Sequence, residues 1–446
     1  MQMTQTNSRV PAAYGCKKSK VEVSDILREH ISDYLTKYRM PPEHYKVVYD
    51  ILNCRTAYLG GHIEQCDNCG TQRNAYNSCR NRHCPKCQTI TKEKWLEARK
   101  AELLPVPYFH AVFTLPHELN PVILCNKKVM LRILFKAVSE TLLEFGANPA
   151  NGLGGKLGFI SILHTWDRLL NDHFHLHCLV PGGALAHDRN QWIGCQSDYL
   201  FPIQALSPVF RGKFIYYLNK AYGKNELIFP GNTESVGTAG GFRALVNSCY
   251  ACDWVVDIRD PIEHPEYVLE YLARYTHRVA IANNRILSLE DGNVTLAYKD
   301  RDSGQTKQTT IDAVEFIRRF LLHVLPKGFM RIRHYGLFAN RCKRENVRRC
   351  RELLGISRDL PEAVKRSVQE MMLQLTGKDI TLCPCCEKGT MRSVGLIPKV
   401  FGPSGFETCI HRGSGLKAYL GCRSAIVINR SAFLSPTTGC QDDEAF

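Results

Sequence analysis

The chain has 446 residues, with 58 Lys and Arg against 43 Asp and Glu, a formal charge of +15. Its 44% hydrophobic and 23% charged content is that of a folded protein, and excludes a wholly disordered chain, a collagen or a disulfide mini-scaffold. No apolar run reaches the roughly 18 residues of a membrane helix. The polar first twenty residues carry no apolar signal core, so a cytoplasmic protein with no membrane partner is expected. The excess of cations points to a phosphate-rich partner, nucleic acid first. In a reducing compartment, the clustered members of the twenty cysteines read as metal ligands. The scattered ones (Cys16, Cys125, Cys195, Cys440) read as small buried hydrophobes or free thiols.

In chain order, residues 1–20 read as a flexible tail. Residues 21–58 carry two helical patterns, with Ser24 as a cap for the first and Pro41-Pro42 between them. A dense cysteine cluster fills 60–90, and 92–103 has helical spacing; 21–103 is taken as a helical and zinc-binding domain. The alternating run Tyr108 to Leu115 reads as a strand. Residues 121–146 read as one or two helices, and Gly152 to Gly155 as a turn. Phe159 to Thr165 and Phe174 to Val180 read as strands, as does Trp254 to Ile258. Helical spacing returns at Glu266 to Ile281. Residues 286–311 read as a hairpin turned at Asp291-Gly292. Residues 104–312 are taken as the catalytic domain, 313–378 as a basic helical region, and 379–446 as a cysteine-containing C-terminal region.

The first cluster contains two Cys-x-x-Cys knuckles, Cys66/Cys69 and Cys84/Cys87, a spacing suited to tetrahedral Zn²⁺. These four form the simplest complete set, with Cys79 and His83 as alternates. Cations beside them (Arg73, Arg80, Arg82, Lys86) suggest contact with phosphate. Cys383 and Cys386 offer a further pair, which would make a second zinc site with partners such as Cys342, Cys350, Cys409 or Cys422.

His173, His175 and His177 alternate along one strand and therefore share a face, with Phe174, Leu176 and Cys178 turned to a core. Alternate residues lie roughly 6.6 Å apart, close enough for two imidazoles to meet one ion, whereas His173 and His177, about 13 Å apart, cannot both reach it. A turn near Leu169-Leu170 would set His164 opposite His175. His164 is therefore taken as third ligand, with His173 as the alternate. The bland alternative is a histidine face that contacts DNA phosphate without a metal.

Tyr267, Tyr271 and Tyr275 recur every four residues, which aligns them on one side of a helix. Arg274, His277 and Arg278 stand near them and could hold phosphate oxygens. An amphipathic helix using tyrosines as core and rim is the plain reading of that segment alone. From Phe316 to Arg351 there are eleven Lys or Arg and one acid. Arg331, Arg333, Arg341, Lys343 and Arg344 are candidate DNA-binding residues there, interleaved with rings suited to base stacking.

Together these motifs resemble the HUH-class rolling-circle transposases of the IS91 type, including the common-region elements. The resemblance runs through Leu59-Gly-Gly-His62, Ser78 to Gln88, Tyr108 to Leu119, His164-Thr-Trp166, His173 to Gly183, Tyr271 to Ile281 and Arg333 to Leu337. It implies an α+β protein: an N-terminal zinc-knuckle domain, a central antiparallel-sheet HUH endonuclease core flanked by helices, and a basic helical C-terminal region. It also implies that His175 and His177 are the pair holding Mg²⁺ or Mn²⁺. Imidazole ligands favour Mn²⁺ of the two. Tyr271 and Tyr275 correspond to the tyrosine pair, with Tyr275 the first choice as nucleophile. Phe174 stands where the family pattern would carry proline. The implied reaction nicks and rejoins single-stranded DNA through a 5′-phosphotyrosine, at terminal hairpin ends of a mobile element near the nucleoid. A plasmid relaxase or replication initiator shares this chemistry. A non-catalytic zinc-dependent DNA-binding regulator would use only the charge and the knuckle.

Overall fold

The computed structural model describes residues 21–400, apart from 101, 197–198, 265–266, 269–270, 272–279, 301–302 and 361–365. The tail expected at 1–20, Tyr275, Arg274, His277, Arg278 and the cysteines beyond residue 400 lie outside the described residues. The protein is a mixed α+β chain of antiparallel sheets. It divides into two compact units: residues 27–79 with 381–400, and residues 80–380 with the start of the first helix. This departs from the sequential layout read from composition, because the C-terminal cysteine segment folds with the N-terminal one.

In the smaller unit, helix α2 (Pro42–Asn53) opens with proline at its first turn and buries His44, Val47, Val48 and Ile51. That stripe recurs every three and four residues, the period that puts one helix face into a core. It follows α1 (Val23–Lys37). Strand β1 (Gly61–Cys66) pairs with β2 (Gln72–Tyr76) on one side. On its other side it pairs with β13 (Met391–Ile397), from the far end of the chain.

The larger unit includes α3 (Gln88–Lys100) and is organised around one five-stranded antiparallel sheet. Its strands are β3 (Tyr108–Thr114), β4 (Gly158–Trp166), β5 (Asp172–Pro181), β8 (Val256–Ile262) and β12 (Ile332–Gly336). Their spatial order is β12-β4-β5-β3-β8. On one face Phe113, Phe159, Phe174, Leu176, Cys178 and Val180 join a single apolar core. Helices α4 (Asn120–Cys125), α5 (Lys127–Ala147), α6 (Ile203–Gly223) and α7 (Ala239–Ala251) contribute to it. Rings interlock there, with Phe210 edge-on to Phe113 at 5.2 Å and to Trp254 at 5.1 Å. Small strands β6 (Gly183–Leu185) and β7 (Trp192–Gly194) pair with each other. A separate three-stranded sheet joins β9 (Ile286–Glu290), β10 (Asn293–Lys299) and β11 (Thr306–Asp312), so the expected hairpin gains a third strand.

The basic stretch after residue 313 is not continuously helical. It holds α8 (Ala313–Leu322), α9 (Lys343–Leu353) and α10 (Val368–Thr376), but β12 interrupts them and becomes an edge of the central sheet. The alternating residues Ile332 to Tyr335 allow this, and Gly336 ends the strand at φ 59°, where an added Cβ would lie 1.8 Å from the Leu157 carbonyl oxygen. Helix α8 also fixes the β4–β5 turn. Arg319 donates to the Leu169 carbonyl, and His323 Nε2 lies 3.1 Å from the Leu170 carbonyl oxygen. Within that turn Asp167 accepts from the amides of Leu169 and Asn171, each at 2.8 Å, and Leu170 adopts φ 64°.

Phe174 is 1% exposed, on the face of β5 opposite the histidines. Phe174→Ala is expected to cost about 3–5 kcal/mol of unfolding free energy, measured by urea denaturation.

Candidate functional site: a histidine face and a thiolate cluster

The turn just described sets the register of β4 against β5, and His164 pairs directly with His175. His177 Nε2 lies 3.1 Å from His175 Nε2 and 3.2 Å from His164 Nδ1. One nitrogen from each residue therefore meets at a common point, with all three within 4.8 Å of one another. His175 and His164 are buried, at 8% and 5% exposure. Trp166 stacks on the His164 ring at 4.8 Å and 17°.

A neutral imidazole has one N–H. His175 Nδ1 lies 2.8 Å from the His173 carbonyl oxygen, a contact in which only the ring can donate, and this leaves Nε2 bare. Burial, with His173 beside it, holds the His175 pKa at about 3. Burial, then His164 and His175, holds His177 well below its ordinary value. Three imidazole nitrogens directed at one point suit a divalent cation: neighbouring ligands of an octahedral ion at about 2.1 Å stand about 3.0 Å apart. His173 does not join the triad; its ring lies 5.7 Å from that of His117 and 4.7 Å from that of His175.

Behind the triad stands His110 on β3, 3% exposed. Its Nε2 is 2.8 Å from His177 Nδ1 and its Nδ1 is 2.6 Å from the Tyr271 hydroxyl. The His110 and His177 rings stack at 5.0 Å and 16°. Burial, then the charge of Arg259, holds the His110 pKa at about 4. His110 was missed in the sequence. The available signal was a single imidazole inside the otherwise apolar Tyr108–Thr114 strand.

The thiolate cluster lies in the smaller unit and corrects the expected zinc set. Cys66 and Cys69, on the β1–β2 turn, meet Cys383 and Cys386, not Cys84 and Cys87. The sulfur distances Cys66–Cys386 and Cys69–Cys383 are both 3.7 Å. Four sulfurs at about 2.3 Å around a tetrahedral Zn²⁺ stand about 3.8 Å apart. Four thiolates fill such an ion, so no position remains for the other knuckle. The two turns are stitched by Asp67, whose carboxylate accepts from the Thr390 amide at 2.7 Å and from Arg392 at 3.0 Å. Gly389 lets them approach, since a Cβ there would lie 2.4 Å from Cys66 Sγ. The Gly389 amide, then the Asn68 side chain, lowers the Cys386 thiol to about 6, a shift towards the thiolate form. Elsewhere in this unit the sulfurs of Cys54 and Cys79 lie within 4.8 Å of each other, and in the larger unit those of Cys84 and Cys87 do the same. His83 belongs to none of the described ligand clusters.

Several cations expected on DNA are engaged within the protein. Arg73 pairs with Glu64 at 2.6 Å. Arg82 donates to the carbonyls of Leu325, Pro326 and Phe329. Arg331 is buried enough that desolvation lowers its pKa to about 10. Arg333 lies over the Phe135 ring at 4.0 Å, and Lys343 pairs with Glu102. Arg341 and Arg344 are exposed.

The larger unit thus carries a histidine-faced antiparallel sheet, and the smaller unit a cluster of four thiolates. Residues 158–346 match the family described as Putative transposase, and residues 26–115 the one described as Transposase zinc-binding domain. The chain is 42% identical over 390 residues to the putative transposase y4qJ of Sinorhizobium fredii (strain NBRC 101917 / NGR234), covering 86% of this chain and 98% of that one. It is 26% identical over 312 residues to the transposase for insertion sequence element IS801 of Pseudomonas savastanoi pv. phaseolicola, covering 66% of this chain and 70% of that one. No solved structure matches it. The chain belongs to the IS91-type transposases with an N-terminal zinc-binding domain. The domain match and the cysteine clusters together support structural Zn²⁺. Among the described residues no helix is long and apolar enough to cross a membrane.

Two outcomes follow from this geometry. Replacing Cys383 and Cys386 together by serine is expected to remove one zinc per chain, read by metal analysis, and to lower the melting temperature. The second concerns pH. In the unfolded chain these histidines titrate near 6.5, whereas His175 and His110 stay neutral down to about 3 and 4. Between those values the unfolded state binds more protons, so the metal-free chain loses stability as pH falls. Its melting temperature is expected to drop from pH 7 to pH 5, and a His175→Gln, His177→Gln double variant to drop less.

Proposed function

We propose that this transposase nicks and rejoins single-stranded DNA at the ends of a mobile element, by attack of a tyrosine on a phosphodiester. The observation that carries the reading is the convergence of His164, His175 and His177 on one point, with a phenol, that of Tyr271, one imidazole away. Membership of a transposase family supports DNA as the partner. The three imidazoles would hold Mg²⁺ or Mn²⁺, which when bound draws charge from the scissile phosphate.

Tyr271 and Tyr275 carry the nucleophile role; Tyr275 lies outside the described residues. As the tyrosine oxygen bonds to phosphorus, the bond from phosphorus to the 3′ oxygen breaks. The electron pair leaves with that oxygen, which takes up a proton while the phenol gives one up. The 5′-phosphotyrosine keeps the phosphodiester energy, so a 3′-hydroxyl can reverse the step on a new strand. Of the named candidates in the basic segment, Arg341 and Arg344 are the exposed ones, and they would follow the DNA backbone. The zinc thiolates keep the smaller unit folded.

Incubation with single-stranded oligonucleotides from the element's own ends and Mn²⁺ is expected to yield a covalent protein–DNA adduct. His175→Ala with His177→Ala should slow it at least about 100-fold. Tyr271→Phe with Tyr275→Phe should abolish it, and the two single variants divide the role between the tyrosines. A wild-type chain that binds these ends yet forms no adduct would leave a zinc-dependent DNA-binding regulator as the better reading.

A further inference from the structure

We propose that His110 is a positioning residue that couples cation binding at His177 to the hydrogen bonding of the Tyr271 oxygen. The proposal rests on the reading that the histidine triad holds a divalent cation. Its basis is the continuous line from the Tyr271 hydroxyl through Nδ1 and Nε2 of His110 to Nδ1 of His177, with steps of 2.6 and 2.8 Å.

The direction of that line is set by proton counting. His177 can hold a cation through Nε2 only if that nitrogen carries no proton. Its single N–H is then on Nδ1 and donates to His110 Nε2. The one proton of His110 is then on Nδ1 and donates to the Tyr271 oxygen. The phenol oxygen becomes an acceptor, an arrangement that favours the phenolate. With the opposite polarity the Tyr271 hydroxyl donates to His110 Nδ1, His110 Nε2–H donates to His177 Nδ1, and His177 Nε2–H blocks the triad. Cation uptake and preparation of the tyrosine are thus two ends of one tautomeric switch. Burial of His110 keeps the line short of bulk water, and Arg259 and Asp257 on β8 are the charged groups that act on it.

Glutamine is the informative replacement. Its carbonyl oxygen can accept from His177 Nδ1–H while its amide donates to the Tyr271 oxygen, which reproduces the cation-bound polarity only. Mn²⁺ affinity of the full chain, measured by calorimetry without DNA, is expected to fall about 10–100-fold in His110→Leu. In His110→Gln it should stay within about threefold of wild type. His110→Asn, whose shorter arm cannot span both partners, should behave like the leucine variant and supplies the comparison if leucine fails to fold. Adduct formation should follow the same order, with glutamine above asparagine. Equal Mn²⁺ affinity in wild type and His110→Asn, or glutamine as weak as asparagine, would overturn the coupling. A wild-type chain that takes up no Mn²⁺ would instead overturn the metal reading beneath it.

Discussion

The register of one β-hairpin governs the site. A strand places side chains on alternating faces, so a slip of one residue between β4 and β5 would turn the imidazoles into the core and Phe174, Leu176 and Cys178 into the open. The hairpin is held from three directions. Asp167 ties the turn from within, α8 clamps it through Arg319 and His323, and the aromatic core holds β5 from behind. Only with this register do His164 and His175 face each other and bring His177 into the same point. His175 and His177 are held neutral because the same packing removes water from them.

Much of this was legible because strand and hairpin grammar is local. His175 and His177 share a face by period two, and the turn between the strands sits where the polar Asp167 to Asn171 stretch interrupts two apolar runs. The opposite face of β5 was equally plain, since Phe174, Leu176 and Cys178 alternate with the histidines. The family could be read from the same motifs because they are long and contiguous.

The remainder depended on contacts that sequence spacing does not encode. The two nearest knuckles made the natural zinc set, yet Cys66 and Cys69 are completed from more than three hundred residues away. Strand β13 went unread because its partner, β1, lies at the other end of the chain. Helix α6 went unread as well; it carries Pro208 inside it. Cation density marked 313–378 as a helical DNA-binding surface, but β12 lies within it as an edge of the central sheet. Arg331 and Arg333 are used for packing, and Arg341 and Arg344 are left at the surface.

The union of β1 with β13 and of the two thiolate turns also sets an order on biosynthesis. The ribosome releases Cys66 and Cys69 long before Cys383 and Cys386, with residues 80–380 of the histidine-bearing unit made in between. The smaller unit therefore closes last, although Cys66 and Cys69 are made early. A product terminated before residue 381 would carry the histidine sheet of the larger unit, and a smaller unit with an open β1 edge and two unsatisfied sulfurs. The architecture thereby distinguishes full-length from shortened polypeptides at the level of folding.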